Sequence, residues 1–169
     1  ILLIMSADLK ISSALDSDLG FILKLNQKSL PAVSSIDLNR LVYFQKISPY
    51  FKIICKKSDS IGFLIGLNPG ADYSSENYIW VNQKYHSFVY VDRIVIDEKH
   101  RNEGVGSFFY DHLKTSFRGK VENIICEVNL IPKNKESMNF HKKYGFKEIG
   151  QKNTENSTKR VAYMSYKVS

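Results

Sequence analysis

Hydrophobic and polar positions along the chain alternate between two periods. Residues 8–13 and 51–57 (FKIICKK) are short, apolar and rich in β-branched side chains, which is the signature of strands. Between them, 15–27 (LDSDLGFILKLNQ) and 37–47 (DLNRLVYFQKI) carry apolar residues at helical spacing. The run SIGFLIGL at 60–67 reads as a third strand, paired with 51–57 through a turn around Ser58, Asp59 and Ser60. The sheet therefore begins antiparallel. A long polar and aromatic connection follows at 69–87 (PGADYSSENYIWVNQKYHS), and ordered loops of that length often carry function.

FVYVDRIVI at 88–96 is the strongest strand pattern in the chain. Behind it Val105, Phe108, Phe109, His112, Leu113, Ser116 and Phe117 repeat at three- and four-residue spacing, so a helix is predicted there, with Gly119 as its stop. NIICEVNL at 123–130 is a second buried strand. Strand, crossover helix and strand require a parallel pair with a right-handed connection. After Pro132, residues 134–144 predict a helix with Ser137, Phe140, His141 and Tyr144 on one face and Gly145 as its end. FKEIG (146–150) and RVAYMSYKV (160–168) then read as strands flanking a polar loop at 151–159. No repeat or Gly/Ser-rich linker interrupts the sequence, and the expected fold is a mixed α/β architecture in one domain over residues 1–169.

Composition narrows the function classes. With 169 residues, 43% of them hydrophobic and 24% charged, the chain can bury a core without disulfides or metals. A net charge of +7 invites a nucleic-acid partner, yet Lys and Arg are dispersed in small clusters (Lys56–Lys57, Lys99–Arg101, Lys133 and Lys135, Lys142–Lys143) and no base-reading motif is present. No nucleic-acid partner is expected; clusters of this size suit a small anionic ligand. Cys55 and Cys126 lie in apolar runs without metal-ligand spacing, which predicts buried free thiols, a cytoplasmic setting and no metal. The opening ILLIM is too short for a signal sequence, Met5 is a candidate start, and no segment has the length to span a membrane.

The candidate chemistry sits in HRNEGVGSFF at 100–109. Gly104-Val105-Gly106 satisfies neither the phosphate-loop pattern GxxxxGK[ST] nor the dinucleotide pattern GxGxxG. Glycines at a strand-to-helix turn nonetheless allow close approach of backbone N–H groups, and the first turn of the next helix adds unpaired donors and a positive dipole end. That arrangement favours an anion, and Arg101 adds a forked cation at the same turn.

The run RNEGVG, preceded by VDRIVID and followed by an amphipathic helix, a buried strand and then FHKKYGF, resembles the GNAT superfamily of acetyl-CoA-dependent N-acetyltransferases. The stretch CEVNLIPKNKESMNFHKKYGF is similar to a subgroup of predicted bacterial acetyltransferases. The resemblance implies a mostly antiparallel sheet with a central, splayed parallel pair and flanking helices. It implies acetyl-CoA as co-substrate, its pyrophosphate wrapped by backbone amides of Arg101, Asn102, Glu103, Gly104, Val105, Gly106 and Ser107. Ile94, Val95 and Ile96 would pair with the pantetheine arm through their backbone, Asn134 would reach it as well as capping its helix, and Tyr144 would protonate the leaving thiolate. Asp92 and Glu127 are the two candidates for a base, directly or through water; Asp92 has the bland alternative of pairing with a basic surface, and Glu127 that of tying down the 69–87 connection. The acceptor pocket would draw on the first two helices, the 69–87 connection and the 151–159 loop. Expected acceptors are primary amines of small molecules, with a protein or peptide amine, or a non-catalytic acyl-CoA-binding role, as alternatives; a homodimer is compatible with each. Glu103 departs from the family pattern, since a carboxylate beside a pyrophosphate is repelled.

Overall fold

In a computed structural model the chain is described over residues 8–168; the opening run and Met5 lie outside those residues. Seven strands form one sheet in the order β1-β2-β3-β4-β5-β7-β6: β1 (Leu9–Ser13), β2 (Tyr50–Lys56), β3 (Asp59–Leu67), β4 (Phe88–Ile96), β5 (Asn123–Ile131), β6 (Lys147–Thr154) and β7 (Lys159–Lys167). Pairs β1/β2, β2/β3, β5/β7 and β6/β7 are antiparallel, while β4 and β5 run parallel with Phe88–Tyr90 opposite Asn123–Ile125. Helices are α1 (Leu19–Lys28), α2 (Leu38–Ile47), α3 (Glu76–Lys84), α4 (Val105–Phe117) and α5 (Lys135–Tyr144). The mixed, mostly antiparallel sheet with its parallel pair is the architecture the sequence predicts.

The chain packs as two compact units: residues up to Gly66 together with Arg93–Ser116, and Leu67–Asp92 together with Phe117 onward. In the first, α1 buries Leu19, Ile22 and Leu25 on one stripe and packs on α2, which buries Leu41 and Phe44. Asp37 caps α2 by accepting from the Arg40 N–H at 2.8 Å. The polar side chain of Asn26 is also fully buried. Arg93, 5% exposed, answers it by donating to Asn26 Oδ1 (2.8 Å) and to the Ser34 carbonyl (3.0 Å), which ties the α1–α2 connection to β4.

Five expectations need correction. The β2–β3 hairpin turns one residue early, at Lys57 and Ser58, with Lys57 in the left-handed region (φ 57°) and Lys56 opposite Asp59. The 69–87 connection contains a helix, α3. The 151–159 loop is mostly strand, because Gln151–Thr154 continue β6 against β7 as a polar edge. On α4 the buried residues are Val105, Phe109, Tyr110, Leu113 and Phe117, whereas His112 is exposed. Cys126 is buried, but Cys55 is only half-buried, and both thiols are free.

Candidate active site

The first unit carries the glycine turn. β4 ends at Ile96, a short 3₁₀ turn spans Glu98–His100, and α4 begins at Val105. Asn102 and Gly104 both adopt positive φ, 60° and 81°, which folds the backbone back before the helix. A Cβ at Gly104 would meet no atom within 4 Å, so the space over the turn is open. The Phe108 N–H bonds back to the Gly104 carbonyl at 3.0 Å as the first rung of α4, leaving the N–H groups of Gly104–Ser107 as the helix's first-turn donors. An anionic group fits there by donor chemistry and by space. Arg101 Nε donates to the Ile96 carbonyl at 3.2 Å, and the Asp97 N–H bonds to the Ile61 carbonyl at 2.8 Å, so both ends of the turn are anchored.

Glu103 does not face the turn's donors unpartnered. Its Oε2 accepts from Lys56 Nζ at 2.8 Å and lies 3.4 Å from His100 Nδ1. The Lys56 hydrogen bond holds the Glu103 carboxyl below the usual carboxylate range. The like charge that departs from the family pattern is thus matched locally by two basic groups.

The second unit gathers the carboxylates. Tyr90 on β4 is fully buried and donates to Glu127 Oε2 at 2.6 Å. Glu127 Oε1 accepts from Asn77 Nδ2 of α3 at 3.2 Å, and Asn77 Oδ1 accepts from the Tyr163 hydroxyl at 3.0 Å. Asp92 Oδ1 accepts from the Tyr73 hydroxyl at 2.7 Å. Burial, then the charges of Glu127 and Asp92, push the Tyr90 phenol far above its ordinary value, so it stays a donor. Glu127 does meet the 69–87 segment, as one of its two expected roles requires.

The aromatics of that segment serve mainly as anchors. Tyr78 is buried, donates to the Asn68 carbonyl at 2.6 Å and accepts from the Ala71 N–H at 2.8 Å. Trp80 stacks on Tyr163 with ring centroids 3.9 Å apart and planes within 5°. Asn134 caps α5 by accepting from the Ser137 N–H at 3.1 Å, and its own N–H donates to the Asn129 carbonyl. Tyr144 packs its ring 5.2 Å from Tyr166 and 5.9 Å from Phe146. His141 is buried between Phe140 and Phe146, with Nδ1 2.7 Å from the Ser137 carbonyl, and desolvation lowers it to about 4.

Asn77 and Tyr163 were not singled out from the sequence, and Lys56 was noted only as part of a basic pair. An Asn in the middle of a segment read as loop has no periodic signal, and Lys56 and Tyr163 meet their partners only through the sheet. No His/Cys/Asp/Glu group among the described residues is arranged to hold a metal ion, and no described helix is long and apolar enough to cross a membrane.

Residues 22–146 match the acetyltransferase (GNAT) family. No curated protein sequence matches the chain. Among solved structures, Ard1 from Thermoplasma volcanium superposes with a TM-score of 0.77 at 19% identity, covering 96% of this chain and 99% of that one. The ribosomal-protein-S18-alanine N-acetyltransferase from Escherichia coli gives 0.70 at 15% identity (95% and 94% covered). The yncA acetyltransferase from Salmonella typhimurium, solved with acetyl-CoA, gives 0.69 at 15% identity (96% and 95% covered). At these identities the structural likeness establishes the fold, and the family match over three quarters of the sequence establishes more: the chain belongs to the GNAT family of acetyltransferases, whose reaction is acetyl-CoA-dependent acetyl transfer.

Proposed function

We propose that the chain transfers acetyl from acetyl-CoA to a primary amine of a small molecule by direct attack in a ternary complex. The observation that carries this reading is the pair of carboxylates in the second unit, Asp92 and Glu127, each held by a phenolic donor. An alkylamine arrives as an ammonium ion and must lose a proton before its lone pair can attack the thioester carbon. Glu127 is the stronger candidate for that base, because hydrogen bonds from Tyr90 and Asn77 reach its two oxygens and hold the carboxylate in one orientation.

In this reading the amides of Arg101–Ser107 receive the pyrophosphate, supported by the open space and positive φ at Gly104. The backbone of Ile94–Ile96 and the Asn134 side chain take the pantetheine arm. The Ile96 carbonyl is engaged by Arg101 and the Val95 carbonyl faces Gly62 of β3, which leaves the Ile94 backbone and the Ile96 N–H as the principal partners. As the new C–N bond forms and the C–S bond breaks, the thiolate takes a proton from Tyr144.

Thiol release from acetyl-CoA, followed across a panel of small primary amines and N-terminal peptides, tests the proposal. Small amines should turn over, and Glu127→Gln should lower kcat/KM by about a hundredfold or more with acetyl-CoA binding retained. Turnover of peptides alone would transfer the acceptor to protein amines. Binding of acetyl-CoA without thiol release on any acceptor would overturn the enzymatic reading in favour of an acyl-CoA-binding role.

A further inference from the structure

Glu127 and Tyr163 face one another across the β5/β7 ladder, and Asn77 of α3 spans them. The order of donors along this chain is fixed by chemistry. An ionised carboxylate only accepts, so the Asn77 group within 3.2 Å of Glu127 Oε1 is the amide nitrogen, and its oxygen must take the Tyr163 hydroxyl. Turning the amide over would set two oxygens against each other at Glu127 and strand the Tyr163 proton. With Tyr90 holding the other oxygen at 2.6 Å, both oxygens of Glu127 are engaged from different elements, and the plane of the carboxylate is set.

Asn77 itself has a built seat. Ser75 caps α3 by accepting from the Tyr78 N–H, and Glu76 Oε2 accepts from the Glu155 N–H at 3.2 Å. Trp80 lies flat on Tyr163, the same residue whose hydroxyl orients Asn77. A Cβ at position 150 would fall 2.8 Å from the Trp80 ring, so only glycine lets the indole lie this close to β6.

We infer that Asn77 is a positioning residue for Glu127: held by Tyr163 and by the seating of α3, its amide fixes the orientation of the carboxylate that faces the acceptor amine. The catalytic consequence rests on the reading of Glu127 as the base; the positioning itself does not. Among the groups that face Glu127 or act on its partners are Tyr90 and Asp92 of β4, Tyr73 before α3, Tyr163 of β7, and Asn77 and Glu76 of α3.

The test is a carbon-13 titration of the glutamate carboxyls in the full chain, with the Glu127 resonance assigned by its loss in Glu127→Gln. Removing a donor to the ionised form should raise the Glu127 midpoint by about one pH unit, a tenfold change, in Asn77→Ala. Tyr163→Phe, which frees the amide to turn while leaving the ring stack, should raise it by less. Calorimetric acetyl-CoA binding equal to the parent shows that each variant is folded. The acid limb of the kcat/KM profile, measured on the amine that turns over best, should move with the titration.

An unmoved Glu127 midpoint in both folded variants overturns the inference. A midpoint that rises while Glu127→Gln keeps full turnover upholds the positioning by Asn77 and rejects Glu127 as the base.

Discussion

At the scale of single residues, Glu103 shows how a local neighbour changes the meaning of a motif. Read alone, a carboxylate inside the glycine turn opposes a pyrophosphate; with Lys56 at 2.8 Å and His100 at 3.4 Å, its charge is locally balanced. Lys56→Ala removes that balance and leaves the turn more negative. Acetyl-CoA affinity, followed by calorimetry at low ionic strength, should fall about threefold, in keeping with the modest worth of exposed pairs. The loss should shrink as salt is added. Adding Glu103→Gln to Lys56→Ala should restore affinity, because the carboxylate rather than the missing ammonium does the harm. A double variant as weak as the single one would mean that Lys56 contacts the ligand itself.

Among the elements, α3 carries Asn77 and was the hardest to read. Its signals are present: Ser75 as cap, Glu76 in the first turn, and Tyr78 and Val81 buried three residues apart. They are masked by crowding, since Tyr73, Ile79, Trp80 and Tyr85 add apolar residues on other faces and blur the period. Gly150→Val should push Trp80 off its stack on Tyr163, because the new Cβ would lie 2.8 Å from the indole. Trp80 is the single tryptophan, so its fluorescence reports the change directly. Emission should shift to the red, and Tm should fall by on the order of 5 °C. Unchanged emission would mean that the indole is held by something other than this seat.

Other elements show what periodicity can and cannot carry. β4 was legible to the residue, as nine positions, all but Asp92 and Arg93 apolar, that are buried along most of their length. β6 was cut short because an edge strand is polar along its exposed side, and Gln151–Thr154 look like loop until they pair with β7. On α4, the stripe placed His112 and Ser116 inward and missed Tyr110, since two helical rows one residue apart fit the same letters. The glycine turn was legible because its chemistry is local in sequence. The Glu127–Asn77–Tyr163 chain was not, because it is assembled from three elements that only the fold brings together.

For the molecule as a whole, acidification acts through the overall charge and through one buried imidazole. The chain carries a net charge of +7 at neutral pH, and protonating carboxylates and histidines on acidification adds to self-repulsion. Above that general effect stands His141, 3% exposed and packed between two phenylalanine rings. Burial holds it neutral down to about 4, against 6.5 for an exposed imidazole. Its folded value is depressed, so the unfolded chain takes up the proton first as pH falls. Stability is therefore fully present above 6.5 and is lost between 6.5 and 4; a shift of that size corresponds to about 3 kcal/mol at its limit. Urea midpoints at pH 7 and pH 4.5 should show this loss in the parent. In His141→Gln the neutral-pH midpoint should be lower, from imperfect packing, but its further drop on acidification should be about half as large or less. An equal acid loss in parent and variant would place the sensitivity in the dispersed surface charge rather than in the core.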